Sequence, residues 1–207
     1  MAGANIHPFG TTPDGRAVHR ICLQNGSLSC EVITYGATLK SLLVPDRDGH
    51  PVDVVLGYDD ANGYRTGKGA YLGAVVGRNA NRIKGASFMM GDTRIRMTAN
   101  DGANSLHSGP NGFHLRMWEP IRLKEHSITL KLISPKGDQG FPGTAEFYVT
   151  YALEKDGCLK IRYDGLCDQD TVMNFTNHSY FNLAGHQNTS AAMEQELILP
   201  GRFFNPD

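Results

Sequence analysis

Apolar and polar residues alternate along much of this chain with the two-residue period of a half-buried strand. Ile128, Leu130 and Leu132 are separated by Thr129 and Lys131, and Phe147, Val149, Tyr151 and Leu153 alternate with Tyr148, Thr150 and Ala152. Successive side chains of a strand point to opposite faces, so each run predicts a strand with one face buried. Leu28 to Thr34, Ala37 to Val44, Val52 to Leu56 and Leu72 to Val76 also read as strands, punctuated by Gly36, Pro45 and Gly57. Asn-Gly or Asp-Gly occurs eight times, at Asp14, Asn25, Asp48, Asn62, Asp101, Asn111, Asp156 and Asp164. Each pair can supply the positive φ angles that tight hairpin turns require. Helix is scarce: only Ser190 to Leu197 offers a turn or two, and its Glu196-Leu197-Ile198-Leu199 end reads equally as a strand stopped by Pro200. No repeat, linker or low-complexity segment divides the chain, which predicts one continuous antiparallel all-β domain over residues 1–207, a sandwich or a barrel.

Composition narrows the partners. A chain of 207 residues is long enough to bury a real core. Twenty Lys+Arg against 21 Asp+Glu give a net charge of -1, so no basic face points to nucleic acid or anionic lipid, and the expected partner is a small neutral molecule. Charges and glycines interrupt the apolar residues everywhere, so no run approaches the ~20 that a membrane helix needs. Met1 to Gly10 lacks the pattern of a secretory signal. Cys22, Cys30, Cys158 and Cys167 show no Cys-x-x-Cys metal spacing and are expected to be reduced, small buried residues of a cytoplasmic protein.

Three segments carry candidate chemistry. Phe175-Thr176-Asn177-His178-Ser179-Tyr180-Phe181-Asn182-Leu183 sets a histidine among amides and aromatics just after a strand-like run. Asn104-Ser105-Leu106-His107 presents another in a glycine-rich loop, and Gly77-Arg78-Asn79-Ala80-Asn81-Arg82-Ile83 offers an amide beside a guanidinium. An amide donates and accepts, and an arginine presents a rigid fork of donors, which suits the mixed hydroxyls of a sugar. Read residue by residue, plainer roles stand beside these: a histidine bonded at a strand end, a loop histidine without a task, and a surface arginine paired with a carboxylate.

Together and in their order along the chain, the three segments resemble the aldose 1-epimerase (galactose mutarotase) family. The likeness extends through Tyr35-Gly36-Ala37-Thr38-Leu39, Val44-Pro45-Asp46-Arg47-Asp48-Gly49, Val54-Val55-Leu56-Gly57-Tyr58 and Gly137-Asp138-Gln139-Gly140-Phe141-Pro142-Gly143. The resemblance implies a large antiparallel β-sandwich of the galactose mutarotase type and interconversion of α and β anomers of free aldoses such as galactose or glucose. Only protons move in that reaction, so no cofactor and no metal is implied. His178 resembles the proton donor, and Asn81, Arg82, His107 and Tyr180 resemble sugar-binding residues. Ser108 departs from the glycine usual after the second histidine, which should alter the loop more than the chemistry. Arg78 reads as structural, Trp118 receives no role, the Asn111-Gly112-Phe113-His114 stretch stays open, and Asp138 and Gln139 read as a rigid loop.

The family draws its base from a glutamate far downstream, with an aspartate that holds sugar hydroxyls. Both are expected beyond Asp207, which implies a sandwich incomplete at its C-terminus. Unpaired strand edges would then favour self-association or a complementing segment. The alternative function is a catalytically incomplete sugar-binding or interaction module.

Overall fold

In the computed structural model, which describes residues 4–67 and 70–201, the period-two runs become the strands of two antiparallel sheets. The first sheet contains β1 (Asn5–Thr11), β2 (Ala17–Asn25), β3 (Leu28–Ile33), β4 (Thr38–Pro45) and β5 (Pro51–Asp53), side by side in chain order. A short helix, α1 (Ala61–Thr66), follows. The middle of the chain supplies the small strands β6 (Val75–Val76), β7 (Arg82–Ile83), β8 (Ser87–Met90), β9 (Thr93–Arg96) and β10 (Ser105–Leu106). The second sheet is β11 (Glu119–Lys124), β12 (Ser127–Ser134), β13 (Ala145–Leu153) and β14 (Leu159–Cys167), again in chain order. A last short strand, β15 (Thr176–Asn177), pairs back onto β6, while β7 pairs with β10 and β8 with β9.

The two sheets share one apolar core. Ile21 and Leu23 of β2, Cys30 and Val32 of β3 and Leu39 of β4 pack in one cluster with Ile128 and Leu130 of β12 and with Phe147, Val149 and Tyr151 of β13. Every second residue of β13 is buried, as the alternation predicts. Removing each such side chain from water contributes about 1.5–3 kcal/mol, which is why the register of these strands is fixed. Trp118 is buried in the same cluster, and its indole N–H donates to the Phe113 carbonyl at 3.3 Å, so it is a core residue.

Arg78 belongs to the fold, as its sequence context suggests. It is 1% exposed, and its guanidinium donates to Ser134 Oγ and to the carbonyls of Ser134, Pro135, Pro142 and Gly143 at 2.8–3.0 Å. Asp138 lies beside this knot, paired with Arg116 and accepting from the Ser134 hydroxyl. Burial pulls the Asp138 carboxyl upward, but the Arg116 guanidinium and the Ser134 hydroxyl outweigh it and hold the group below the ordinary carboxylate range. Asp138 and Gln139 are thus a structural brace.

Several expectations need correction. The strand predicted over Val52 to Leu56 ends at Asp53, and Leu72 to Val76 contributes only Val75–Val76. α1 was not foreseen; its N-cap is Asp60, whose carboxylate accepts from the Gly63 N–H at 2.7 Å. Ser190 to Leu197 yields one 3-10 turn, Ala191–Glu194. Of the eight glycine pairs, those at Gly15, Gly26, Gly49, Gly102 and Gly157 have positive φ. Gly63, Gly112 and Gly165 serve close approach: a Cβ there would meet Tyr58 Cβ at 2.5 Å, the His107 carbonyl at 2.8 Å and Met173 Sδ at 2.6 Å. The four cysteines are free thiols, but only Cys30 is buried, and Cys158 is exposed between β13 and β14. Among the described residues no helix is long and apolar enough to cross a membrane.

At the outer margin of the second sheet, β14 has no partner beyond β13 among the described residues. Leu166 on that strand is 66% exposed, and Leu183, Met193, Leu197, Ile198 and Leu199 are exposed by 72% or more.

Candidate active site

The short strand pairs of the middle segment build the site. β7 and β10 set Arg82 opposite Leu106, the residue that precedes His107. The Asn81 N–H donates to His107 Nδ1 at 3.0 Å, and the His107 N–H donates back to the Asn81 carbonyl at 3.1 Å. Because Nδ1 accepts, the neutral His107 ring carries its proton on Nε2, the nitrogen left to meet a ligand. Asn100 clamps the same loop, accepting from the Leu106 N–H at 2.7 Å and donating to the Leu106 carbonyl at 3.0 Å.

Ser108 shows what the departure from glycine does. Its φ is +70°, in the left-handed region that favours glycine, and its buried hydroxyl accepts from the Asn79 N–H at 2.8 Å and donates to the Asn79 carbonyl at 3.2 Å. The hydroxyl offsets the backbone preference by tying the two loops together. Asn81 and His107 also have positive φ, +62° and +50°. Non-glycine residues held there cost on the order of 1–3 kcal/mol each, and such strain collects at functional sites.

His178 arrives from the other direction. β15 pairs with β6, the His178 N–H donates to the Ala74 carbonyl at 2.8 Å, and the Gly73 N–H donates to the His178 carbonyl at 3.1 Å. Asn177 anchors this turn, donating from Nδ2 to the Gly73 carbonyl at 2.7 Å and to the Tyr151 hydroxyl at 3.1 Å. The imidazoles of His107 and His178 stand 5.1 Å apart at 88°, and the Tyr180 ring lies 5.2 Å from that of His178.

One open cleft of about 440 Å³ is lined by Tyr71, Asn81, Arg82, His107, His178 and Tyr180, among others. All five residues singled out in the sequence therefore meet in one place. Arg82 sits at the rim with its Nε 2.8 Å from Asp101 Oδ2, so the surface ion pair and the cleft position hold together. No Asp or Glu lines the cleft among the described residues. Two residues outside the sequence-derived set join the cluster: Tyr71, whose ring is 4.6 Å from that of His107, and His114, whose ring is 4.7 Å from that of Tyr71.

Burial pushes His107 down to about 4, with the neighbouring His178 and Arg82 adding to the effect, and it pushes His114 down to about 4 as well. Both are neutral at pH 7. In the unfolded chain each histidine takes up its proton near the ordinary ~6.5, so between that value and about 4 the unfolded state binds more protons than the folded one. Stability contributed by these groups is present above pH ~6.5 and falls as the pH is lowered to about 4, with a combined loss on the order of 2 kcal/mol after allowance for partial exposure. Urea titrations at pH 7.5 and 4.5 check this, and a double His107→Gln, His114→Gln variant should show a weaker pH dependence. An unchanged midpoint across that window would count against it.

Gly73 anchors the His178 backbone through its N–H. Its φ is +64°, and a Cβ on it would lie 2.0 Å from the Leu39 carbonyl oxygen. Gly73→Ala is expected to cost roughly 2 kcal/mol or more and to displace the His178 backbone bonded to it. Thermal melting together with the position of the His178 imidazole resonance reports both effects; a variant with native values for both would refute the assignment.

The family model described as aldose 1-epimerase matches residues 19–202. The galactose mutarotase of Bos taurus is 39% identical over 199 residues, 96% of this chain and 57% of that protein. The aldose 1-epimerase of Haemophilus influenzae is 41% identical over 195 residues, 94% of this chain and 56% of that protein. Among solved structures, an aldose epimerase homologue from C. elegans superposes with a TM-score of 0.76 at 35% identity, covering 80% of this chain and 51% of that one. The galactose 1-epimerase of Lactobacillus acidophilus gives 0.77 at 28% identity, covering 88% and 54%. The chain thus spans less than three fifths of the length of these curated relatives.

Proposed function

Since the chain belongs to the aldose 1-epimerase family, we propose that its cleft binds a free aldohexose such as galactose or glucose and supplies the acid half of anomer interconversion. The observation that carries this reading is the meeting of His107 and His178, 5.1 Å apart, in one cleft with Asn81, Arg82 and Tyr180. His178 gives a proton to the ring oxygen as a base takes the proton of the C1 hydroxyl. The bond between C1 and the ring oxygen breaks to leave an aldehyde, rotation about C1–C2 turns its other face, and the reverse proton transfers close the ring. His107, neutral with Nε2–H as donor, can bond the ring oxygen or a hydroxyl of the sugar. Asn81, Arg82 and Tyr180 hold the remaining hydroxyls. The base comes from outside the residues that line the cleft.

Polarimetry of freshly dissolved α-D-galactose tests this, with the 207-residue chain, a buffer blank and galactose titration in parallel. Relaxation above the blank means that the chain carries both acid and base. Relaxation equal to the blank, with galactose bound, means recognition and an acid that lacks its base. Folded protein that neither binds nor accelerates would refute the reading. The free edge of β14 and the exposed apolar residues Leu166, Leu183 and Leu197 support association with a second copy or a complementing segment. A cytoplasmic, reducing setting suits the four thiols.

A further inference from the structure

Tyr71 stands at the centre of the histidine cluster. Its ring meets His107 at 4.6 Å and His114 at 4.7 Å, edge-on at 76° and 77°, and lies 5.4 Å from the ring of His178. Three imidazoles from three separate segments thus share one aromatic neighbour. The Tyr71 backbone has φ +50°, a region that bulky residues seldom adopt, and the Ala74 N–H closes the turn onto the Tyr71 carbonyl at 3.0 Å. That turn also contains Gly73, whose N–H holds the His178 carbonyl, so one tight bend places both the tyrosine ring and the histidine. Strain retained in the backbone of a residue with this many ring contacts points to its placement as the reason.

Tyr71 also lines two clefts, the one of about 440 Å³ and a second of about 240 Å³ lined by Thr38, Tyr64, Leu72, Ala74, His114 and Leu115 along with Tyr71 itself. His114 backs the ring, and its Nδ1 is buried without a partner against Gly112, where a Cβ would come within 3.0 Å of that nitrogen. The charged and titratable groups that bear on the phenol are Asp101, Arg82 and Tyr180, which lie around the sugar cleft. Burial raises the phenol above its ordinary value, so its hydroxyl stays protonated.

We propose that Tyr71 is the positioning residue of this site: wedged among the imidazoles, its ring holds His107 and His178 perpendicular and 5.1 Å apart, and closes the cleft behind the bound aldose. The aldose in this statement rests on the function proposed above; the positioning does not. The ring, not the hydroxyl, carries the role, because every contact to the three histidines is a ring contact.

The test is NMR on the full 207-residue chain, following the imidazole Cε1–H signals, with galactose as the probe ligand. In the unsubstituted protein, Tyr71 ring protons should give NOEs to both His107 and His178. Tyr71→Phe should keep the histidine shifts, the His107 titration and galactose affinity. Tyr71→Leu, with far-UV circular dichroism to check the fold, should move both imidazole signals, raise the His107 titration from about 4 toward ~6.5 as water enters, and weaken galactose binding roughly tenfold. Absent NOEs overturn the proposal, and so does a Tyr71→Leu protein with native histidine signals. A Tyr71→Phe protein as impaired as Tyr71→Leu also overturns it, since the hydroxyl would then be the working part. If Tyr71→Leu does not fold, the NOEs decide together with Tyr71→Phe measured against the unsubstituted protein, and a Tyr71→Phe protein with displaced histidine signals overturns the proposal. If the unsubstituted chain binds no galactose while Tyr71→Leu still shifts His107 and His178, the aldose reading fails and the positioning role stands.

Discussion

His178→Ala is expected to slow the approach of α-D-galactose to its anomeric equilibrium by about 10²–10⁴-fold, the usual contribution of one positioned acid. Measured against the protein in its catalytically competent form, the loss should fall mainly on kcat. Asn81, Arg82 and His107 are held by their own loop and its bonds to Asn79, Asn100 and Asp101, so sugar affinity should persist. Alanine also removes the ring that stands 5.1 Å from His107 and 5.2 Å from Tyr180, so a control is needed for packing. His178→Gln keeps bulk and hydrogen bonding but cannot donate an acidic proton, and it should be impaired to a similar degree. A glutamine variant with nearly native kcat would remove His178 from the acid role.

Arg78→Met should be the most damaging single change to stability. The buried guanidinium satisfies four backbone carbonyls, those of Ser134, Pro135, Pro142 and Gly143, and its bonds to Ser134 and Gly143 are fully buried. It also lies over the Phe141 and Phe147 rings, 5.7 and 5.9 Å from their centroids. Methionine replaces some of the volume but none of the donors. Leaving buried acceptors unpaired and removing one partner of a buried charge network costs about 3–5 kcal/mol, which for a chain of this size lowers the melting temperature by roughly 10 °C. Differential scanning calorimetry settles the matter, and a shift of under about 2 °C would mean that the carbonyls find other donors.

The sequence was most legible where one physical demand acted alone. In β12 and β13 burial of a single face was the only constraint, and strict alternation reported it. The site residues were legible as a set only through the likeness of their segments to the aldose 1-epimerase family, since each residue taken alone had a plainer role beside it. Asn81, Arg82, His107, His178 and Tyr180 do converge on one cleft. Where two demands overlapped, the signal was misread. Leu159, Ile161 and Tyr163 alternate along β14, but Asp164-Gly165 looked like a turn, whereas Gly165 is there to let Met173 pack against the strand. α1 was hidden by Asn62-Gly63, a poor helix sequence kept because the Tyr58 ring leaves no room for a Cβ at Gly63. Tyr71 carries no local signal and His114 lay in a stretch whose role stayed open; the importance of both arises from neighbours distant in sequence, and only the fold brings these together.

Those distances bear on the order in which the molecule assembles. All four strands of the second sheet pair with sequence neighbours through successive hairpins, whereas the bond from Asn177 to Gly73 that seats His178 joins residues 104 apart. Closing so long a loop loses more chain entropy than closing a hairpin, so the cleft should form late. The proposed binding of galactose would then time the last stage of folding: on dilution from urea, β-sheet dichroism should return before galactose binding, and simultaneous recovery would show that the long closure comes first.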